Sequence, residues 1–120
     1  MLVSRRRFEE IVGDALDSIP AELADEMENV AVVVEDWPRP DQVRDGAQLL
    51  GLYEGVPLTS RDPIGYGGVL PDRITIFRGP LCERARDEDD LAEQVRVTVL
   101  HEVGHHFGIA DERLRELGWA

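Results

Sequence analysis

The sequence of 120 residues is poor in several residue types, and each scarcity excludes a class of protein. Cys82 is the only cysteine, so no disulfide can form within the chain and no cysteine cluster can bind a metal. No apolar run approaches the roughly 18 residues of a membrane-spanning helix. Acidic residues interrupt the segment after residues 5–7, where a signal peptide would be apolar. We therefore expect a cytoplasmic protein without a membrane partner.

Positive charge is also scarce. The chain has no lysine, and its 13 basic residues, all arginine, face 25 acidic residues, which gives a formal net charge of −12. A field of this sign repels a phosphate backbone, so we expect no nucleic-acid partner. The length and the apolar content of 42% are those of one globular domain over residues 1–120.

Hydrophobic periodicity predicts a helix near the start of the chain and strands after it. In residues 4–19, apolar positions recur three and four apart behind the candidate N-cap Ser4, which is typical of an amphipathic helix. The segments 21–27 and 57–68 are predicted as a short helical turn and a long ordered loop. Strands are predicted from apolar and β-branched residues at 30–35, at 49–55 as a short edge strand, and at 73–78, where Gly79 and Pro80 end the strand.

The longest helical segment covers residues 87–107. Its first turn is acidic, which favours a helix N-terminus, and apolar residues occupy most of its faces from Val95 onward, as in a helix covered on several sides. Gly108 predicts the end of this helix, and residues 111–117 are predicted as a last short one. This order of elements predicts an α+β domain with a small mixed sheet, an N-terminal helix and a long buried helix.

All three histidines of the chain lie in residues 101–111, which read HEVGHHFGIAD. The segment contains the pattern HExxH and extends it to HExxHxxGxxD. On a helix, His101 and His105 are separated by about 40° around the axis, so both imidazoles project from one face. Their Cβ atoms are then about 6 Å apart. Two ring nitrogens can reach one Zn²⁺ at about 2.0–2.1 Å each.

Glu102 is turned by about 100° from His101 and lies beside an open coordination position of the metal rather than on the metal. There it can accept a proton from a bound water molecule and return it to a leaving amine. A catalytic zinc usually has three protein ligands. Gly108 can adopt the positive φ that reverses the chain, so Asp111 is the favoured third ligand and Glu112 its rival.

His106 projects in a different direction from His101 and His105 and cannot easily bind the same ion. Two roles are open for it. It can support the metal ligands from behind, or it can pack against the strands, and packing is the favoured interpretation.

The longer string HEVGHHFGIADERL resembles the HExxHHFGxxDExL pattern of small bacterial zincin-like metallopeptidases, the minimal zincins. Residues 49–59 are similar to an LLGLYxGxPL segment of that family. The resemblance covers most of the chain and is most specific in residues 98–114. It implies a minimal zincin-like fold, Glu102 as general base, and a zinc site formed by His101, His105 and Asp111.

The resemblance also implies a peptide or unfolded protein as substrate. Zincins pair an extended peptide with an edge strand, and the candidate residues for this strand are Leu50, Gly51, Leu52 and Tyr53. An ordinary edge strand that its glycines shield is an equally favoured interpretation of this segment. The chain departs from larger zincins because no methionine follows the HExxH segment and few residues follow Asp111. We therefore expect a substrate groove that is shallow or is completed by residues 57–70 or by another subunit.

Three functions are consistent with these residues to different degrees. The full motif with Glu102 favours a zinc-dependent peptidase. The short segment after Asp111 favours a zinc-binding regulatory or interaction module without catalysis. A metal-dependent ribonuclease is the least consistent of the three, because Glu102 and Asp111 stand in the pattern and the net charge is −12.

Overall fold

The computed structural model describes residues 2–25, 27, 30–43, 48–55 and 72–119, except the side chain of Glu22. The predicted loop at 57–68 lies outside these residues. Across the described part of the chain, no helix has the length and apolar content needed to cross a membrane. The helices and strands are α1 (Arg5–Asp17), α2 (Ala21–Ala24), β1 (Val30–Glu35), β2 (Gly51–Glu54), β3 (Asp72–Phe77), α3 (Arg78–Arg84), α4 (Glu88–His106) and α5 (Asp111–Leu117).

The three strands form a small mixed sheet in the order β1-β3-β2. β1 runs parallel to β3, with Val32 opposite Ile74, and β2 runs antiparallel to β3, with Gly51 opposite Ile76. Ile74 and Ile76 of the central strand are fully buried. The prediction of an α+β domain with a small mixed sheet is confirmed, and β2 is an edge of the sheet formed by the described residues.

The helix α4 lies at the centre of the domain and contacts α1, α3, β2 and β3. Its N-terminus is capped by the side chain of Asp87, which accepts a hydrogen bond from the backbone N–H of Asp90 at 2.8 Å. Each of its fully buried apolar side chains contributes about 1.5–3 kcal/mol to the hydrophobic stabilisation. These side chains recur every four residues along one stripe of the helix, at Leu91, Val95, Val99 and Val103.

The N-terminal helix α1 is amphipathic, as its sequence pattern predicts, and it packs against α4. The hydroxyl of Ser4 accepts a hydrogen bond from the backbone N–H of Arg7 at 3.1 Å, so Ser4 is the N-cap. The buried face of α1 consists of Phe8, Ile11, Val12 and Ala15. The position of α4, which carries the HExxH segment, is therefore determined by packing on several sides.

The prediction for the end of β3 was wrong. Arg78 is not the last residue of the strand but the first residue of α3, and Gly79 and Pro80 lie in the first turn of that helix. Proline is tolerated there because its missing N–H would have no partner within the helix. Gly79 is required by packing, since a Cβ atom at this position would lie 2.4 Å from the ring of Trp37.

Candidate metal centre and active site

His101 and His105 lie on the last two turns of α4 and face each other across one helical turn. Their Nε2 atoms are 3.0 Å apart, and both side chains are partly exposed. Two ligands of a tetrahedral zinc ion, each at about 2.0–2.1 Å, are about 3.3 Å apart. The separation of the two nitrogens is therefore close to the one that two ligands of a single zinc ion require.

The carboxyl group of Glu102 lies beside this pair. Each of the residues His101, Glu102 and His105 offers one possible ligand atom, and these three atoms lie within 4.8 Å of one another. Glu102 is only 7% exposed. The pKa of Glu102 is raised to about 7, mainly by burial. A hydrogen bond from the backbone of Tyr53 lowers this pKa, and the nearby charge of Asp111 raises it. A carboxyl group with this pKa is suited to accept and return a proton near neutral pH.

The edge strand β2 approaches Glu102 closely at Gly51. A Cβ atom on Gly51 would lie 2.8 Å from Thr98 Cγ2 and 3.2 Å from Glu102 Cγ, so only glycine fits without a shift. The carbonyl of Leu50 accepts a hydrogen bond from the N–H of Phe77 in β3, at 3.0 Å. Because backbone groups alternate in direction along a strand, those of Gly51 and Tyr53 face away from β3. This geometry lets the Tyr53 N–H reach the carboxylate of Glu102.

Asp111 approaches the histidine pair from the start of α5. Gly108 has a φ of +74° and reverses the chain after α4, as its position in the motif predicts. The Oδ1 atom of Asp111 then lies 3.9 Å from His105 Nε2. Asp111 and its rival Glu112 are both exposed, but of these two only Asp111 forms an ion-pair contact with an imidazole of the described residues. Of the two acidic residues, the structure places Asp111 beside the imidazoles.

The environment of His105 favours the form of imidazole that binds metals. Burial lowers the pKa of His105, and the neighbouring His101 lowers it further, whereas Asp111 acts in the opposite direction. A lowered pKa keeps the ring neutral at physiological pH, and only a neutral imidazole has a free lone pair for a metal ion.

The second nitrogen of His101 contacts the backbone beyond α5. Its Nδ1 lies 3.1 Å from the carbonyl oxygen of Trp119. A carbonyl accepts hydrogen bonds and cannot donate them, so this contact requires a proton on Nδ1. In the neutral ring the lone pair is then on Nε2, the atom that faces His105.

His106 faces the strands instead of the other two histidines. Its Nδ1 lies 2.8 Å from Asp72 Oδ2, and the hydroxyl of Tyr53 donates to the same carboxylate oxygen at 2.6 Å. His106 is fully buried and Asp72 is buried with it. The Nε2 atom of His106 has no hydrogen-bond partner among the described residues. This cluster joins α4, β2 and β3 beneath the candidate site.

Two hollows meet at the site. The first is a cleft of about 410 Å³, with Gly51, Leu52 and Tyr53 of β2 on one side and His101, Glu102 and His105 on the other. The second, of about 460 Å³, shares His101 and Glu102 and extends along α4 towards its start, where its lining includes Leu50, Val97, Thr98 and Arg84. A single elongated ligand can therefore occupy both hollows.

The residues predicted from the sequence, the histidine pair, Glu102 and Asp111, lie together in the structure, but three groups around them were not predicted. The Tyr53 N–H and the Trp119 carbonyl belong to the backbone, so no side-chain pattern marks them. Asp72 is 34 residues from His106 and has no fixed spacing to the motif. The available signal was Asp72 itself, an acidic residue directly before the strand predicted at 73–78.

A long central helix that presents two histidines and a glutamate beside the edge strand of a small mixed sheet defines a zincin-type site. The chain belongs to the zincin-like metallopeptidase family, whose model matches residues 27–119. No curated protein matches the chain.

Among solved structures, the chain is similar to a conserved hypothetical protein from Thermo thermophilus, with 27% sequence identity and a TM-score of 0.59. The alignment covers 95% of this chain and 99% of that one. The description of that protein assigns it no activity, so this similarity supports the fold and not a reaction.

Proposed function

We propose that this protein is a zinc-dependent peptidase that hydrolyses peptide bonds in extended or unfolded polypeptides. The observation that carries the proposal is the environment of Glu102. Its carboxyl group is buried, has a pKa of about 7, and lies beside two imidazoles whose Nε2 atoms are 3.0 Å apart. A structural metal site more often has four protein ligands, often cysteines, and needs no proton acceptor beside the ligands. The presence of Glu102 therefore favours a catalytic site over a structural metal site.

The donor atoms fit zinc. His101 and His105 supply two nitrogens at nearly the separation that a tetrahedral ion requires, and Asp111 supplies a carboxylate oxygen 3.9 Å from one of them. We assign these three residues as ligands. Nitrogen and oxygen donors without sulfur are typical of a catalytic site with a free position for water. Bound Zn²⁺ would supply a Lewis acid that lowers the pKa of a water molecule to about 7.

Glu102 performs the proton transfers in this proposal. Its carboxylate accepts a proton from the attacking water molecule and then donates it to the nitrogen of the leaving amine. The Tyr53 N–H holds the carboxylate in place, since a hydrogen bond from the backbone restricts its rotation. The burial of Glu102 keeps bulk water from solvating it, which strengthens its interactions with the reacting groups.

The cleft accommodates a peptide chain. The backbone of Gly51 and the carbonyl of Tyr53 face away from β3 and border the cleft, so an extended peptide can add to this edge of the sheet while the Tyr53 N–H remains bonded to Glu102. A side chain of that peptide can enter the second hollow, whose lining includes Leu50 and Val97. We therefore expect substrates that are unfolded in the cleaved region and carry an apolar residue near the scissile bond.

The test compares the zinc-loaded wild-type protein with Glu102→Gln on a library of unstructured peptides, with products identified by mass spectrometry. The wild-type protein should cleave members of the library. Loss of a general base typically lowers the rate by about 10²–10⁴-fold, so cleavage by Glu102→Gln should be nearly undetectable although zinc remains bound. Glu116→Gln, which neutralises an exposed carboxylate on α5, is the matched control and should retain activity.

Two results would contradict the proposal. Unchanged cleavage by Glu102→Gln would exclude Glu102 as the base. A wild-type protein with stoichiometric zinc and no cleavage across the library would instead support a metal-binding module without catalysis.

A further inference from the structure

We infer that α5 and the turn after it form an outer support of the metal centre, in which the Trp119 carbonyl positions the ring of His101. The inference rests on the zinc site proposed above but concerns residues outside the ligand set. The helix α5 reaches the histidine pair at both of its ends. Asp111 at its start lies 3.9 Å from His105, and the Trp119 carbonyl after its end lies 3.1 Å from His101.

The position of α5 depends on a close contact with α4. Leu114 is fully buried and packs onto Gly104, which lies between the two histidines in the sequence. A Cβ atom on Gly104 would lie only 2.2 Å from Leu114 Cδ2. The glycine of the HEVGH segment thus allows α5 to lie directly against the helical turn that carries the metal ligands.

The turn after α5 directs the Trp119 carbonyl towards the site. Gly118 has a φ of +79°, and its N–H donates to the carbonyl of Arg115 at 3.1 Å. The N–H of Trp119 donates to the carbonyl of Leu114 at 2.8 Å. These two bonds and the left-handed glycine form a Schellman motif, which ends the helix in a defined direction. The side chain of Trp119 also packs against the hydrophobic core.

The two hydrogen bonds of the His101 ring are consistent with a single arrangement of protons. In the neutral state, His101 donates from Nδ1 to the Trp119 carbonyl and can then only accept at Nε2. The 3.0 Å contact between the two Nε2 atoms therefore has His105 as its donor. The carbonyl thus selects the tautomer of His101 whose Nε2 lone pair is available to a metal. Partners of this kind typically contribute about 10–100-fold to metal affinity.

Two substitutions of Gly118 distinguish the effect of the turn's direction on zinc binding from the effect of adding a side chain. A Cβ atom on Gly118 would meet nothing within 4 Å, so neither substitution introduces a clash. Asparagine tolerates positive φ and should keep the turn, whereas the β-branched valine disfavours it and should displace the Trp119 carbonyl. In chelator competition, Gly118→Val should bind zinc about 10-fold or more weakly, and Gly118→Asn should bind like the wild-type protein.

Trp119→Ala provides a second control, because it removes the indole ring and retains the carbonyl. It should bind zinc more tightly than Gly118→Val. Equal affinities of Gly118→Val and Gly118→Asn would overturn the inference. So would a loss in Trp119→Ala as large as that in Gly118→Val, since the indole ring would then be responsible. Urea unfolding of the metal-free variants verifies that each one is folded at the start of the titration.

A measurement on the metal-free wild-type protein tests the inference without any substitution. Long-range ¹H–¹⁵N spectra of the histidine rings distinguish the two neutral tautomers. His101 should carry its proton on Nδ1, and a proton on Nε2 would overturn the inference. If the tautomer is the expected one and the wild-type protein fails to bind zinc, the proposed function is wrong and the positioning of His101 by Trp119 still stands.

Discussion

The imidazole of His106 and the carboxylate of Asp72 meet at 2.8 Å in the interior, although 34 residues separate them in the chain. The hydroxyl of Tyr53 donates to the same carboxylate at 2.6 Å. One cluster of side chains thus links α4, β2 and β3. Since Glu102 lies on α4 and accepts a hydrogen bond from the Tyr53 backbone, this cluster fixes the position of Glu102 relative to the edge strand.

Removal of the Asp72 carboxylate should strongly destabilise the protein. Asp72→Ala removes the buried carboxylate that His106 and the Tyr53 hydroxyl share, and each hydrogen bond to a carboxylate typically contributes about 1.5–3 kcal/mol. Tyr53→Phe keeps the ring but removes the hydroxyl and its hydrogen bond to the Asp72 carboxylate, and it should cost about 1.5–3 kcal/mol. Chemical unfolding measures both values. Asp41→Ala, which breaks an exposed ion pair, should change stability by less than about 1 kcal/mol. Similar values for Asp72→Ala and Asp41→Ala would show that the cluster contributes little.

Substitution by alanine should have opposite effects on protein stability at two glycines that lie in helices. At Gly13 in α1, a Cβ atom would meet nothing within 4 Å, so Gly13→Ala should stabilise the protein by about 0.5–1 kcal/mol. At Gly104 the same atom would overlap Leu114, and overpacking typically costs about 1–3 kcal/mol. Thermal unfolding of the two variants tests the prediction. If the Gly104→Ala variant were more stable than the wild-type protein, α5 would be able to move away from α4 without a loss of stability.

The stability of the metal-free protein should fall as the pH rises through the range in which Glu102 ionises. Burial raises the pKa of Glu102 from 4.5 to about 7, so the folded state binds this proton more tightly than the unfolded chain. The resulting stabilisation, about 3 kcal/mol, is fully present below pH 4.5 and is lost by about pH 7.

Glu102→Gln isolates this contribution because glutamine is neutral at every pH and can still accept the hydrogen bond from Tyr53. With a chelator present, the variant should match the wild-type protein near pH 4 and exceed its stability near pH 8. Urea unfolding at both pH values gives the comparison. Parallel pH dependence of the two proteins would mean that Glu102 titrates at its ordinary pKa.

The third metal ligand can be identified by a matched pair of substitutions. Asp111→Ala should weaken zinc binding by more than about 100-fold, beyond the loss typical of residues that only support a ligand. Glu112→Ala removes an adjacent, exposed carboxylate and should leave the affinity unchanged. Chelator competition provides both constants, and the visible spectrum of the Co²⁺-substituted proteins reports the number of ligands. The reverse order of affinities would assign the metal to Glu112.

The parts of the site that local geometry determines could be predicted from the sequence. A spacing of four residues on a helix brings His101 and His105 to one face, and the glycine at position 108 reverses the chain as its motif predicts. The helix α4 itself was predicted to within one residue at each end. These features depend only on residues that are close together in the chain.

Other features depend on contacts between distant segments and left little trace in the sequence. The pairing of Asp72 with His106 requires the register of β3 against α4, which no local pattern specifies. The helix α3 was missed because Gly79 and Pro80, which commonly end strands, also fit the first turn of a helix. The Trp119 carbonyl is present whatever residue stands at that position, so its role appears only in the folded structure.

The hydrogen bond from the Tyr53 backbone to Glu102 has a consequence for how this protein can change over time. A backbone group is retained under every substitution except proline, so side chains on this strand can vary while Glu102 keeps its hydrogen bond. Gly51 and Tyr53 are exceptions, because a side chain at Gly51 would press against Glu102 and the Tyr53 hydroxyl bonds to Asp72. Substitutions at Leu50 and Leu52, which line the two hollows, can therefore alter the shape of these hollows while the orientation of Glu102 is preserved. The lining of the hollows and the position of the buried carboxyl group can thus evolve separately.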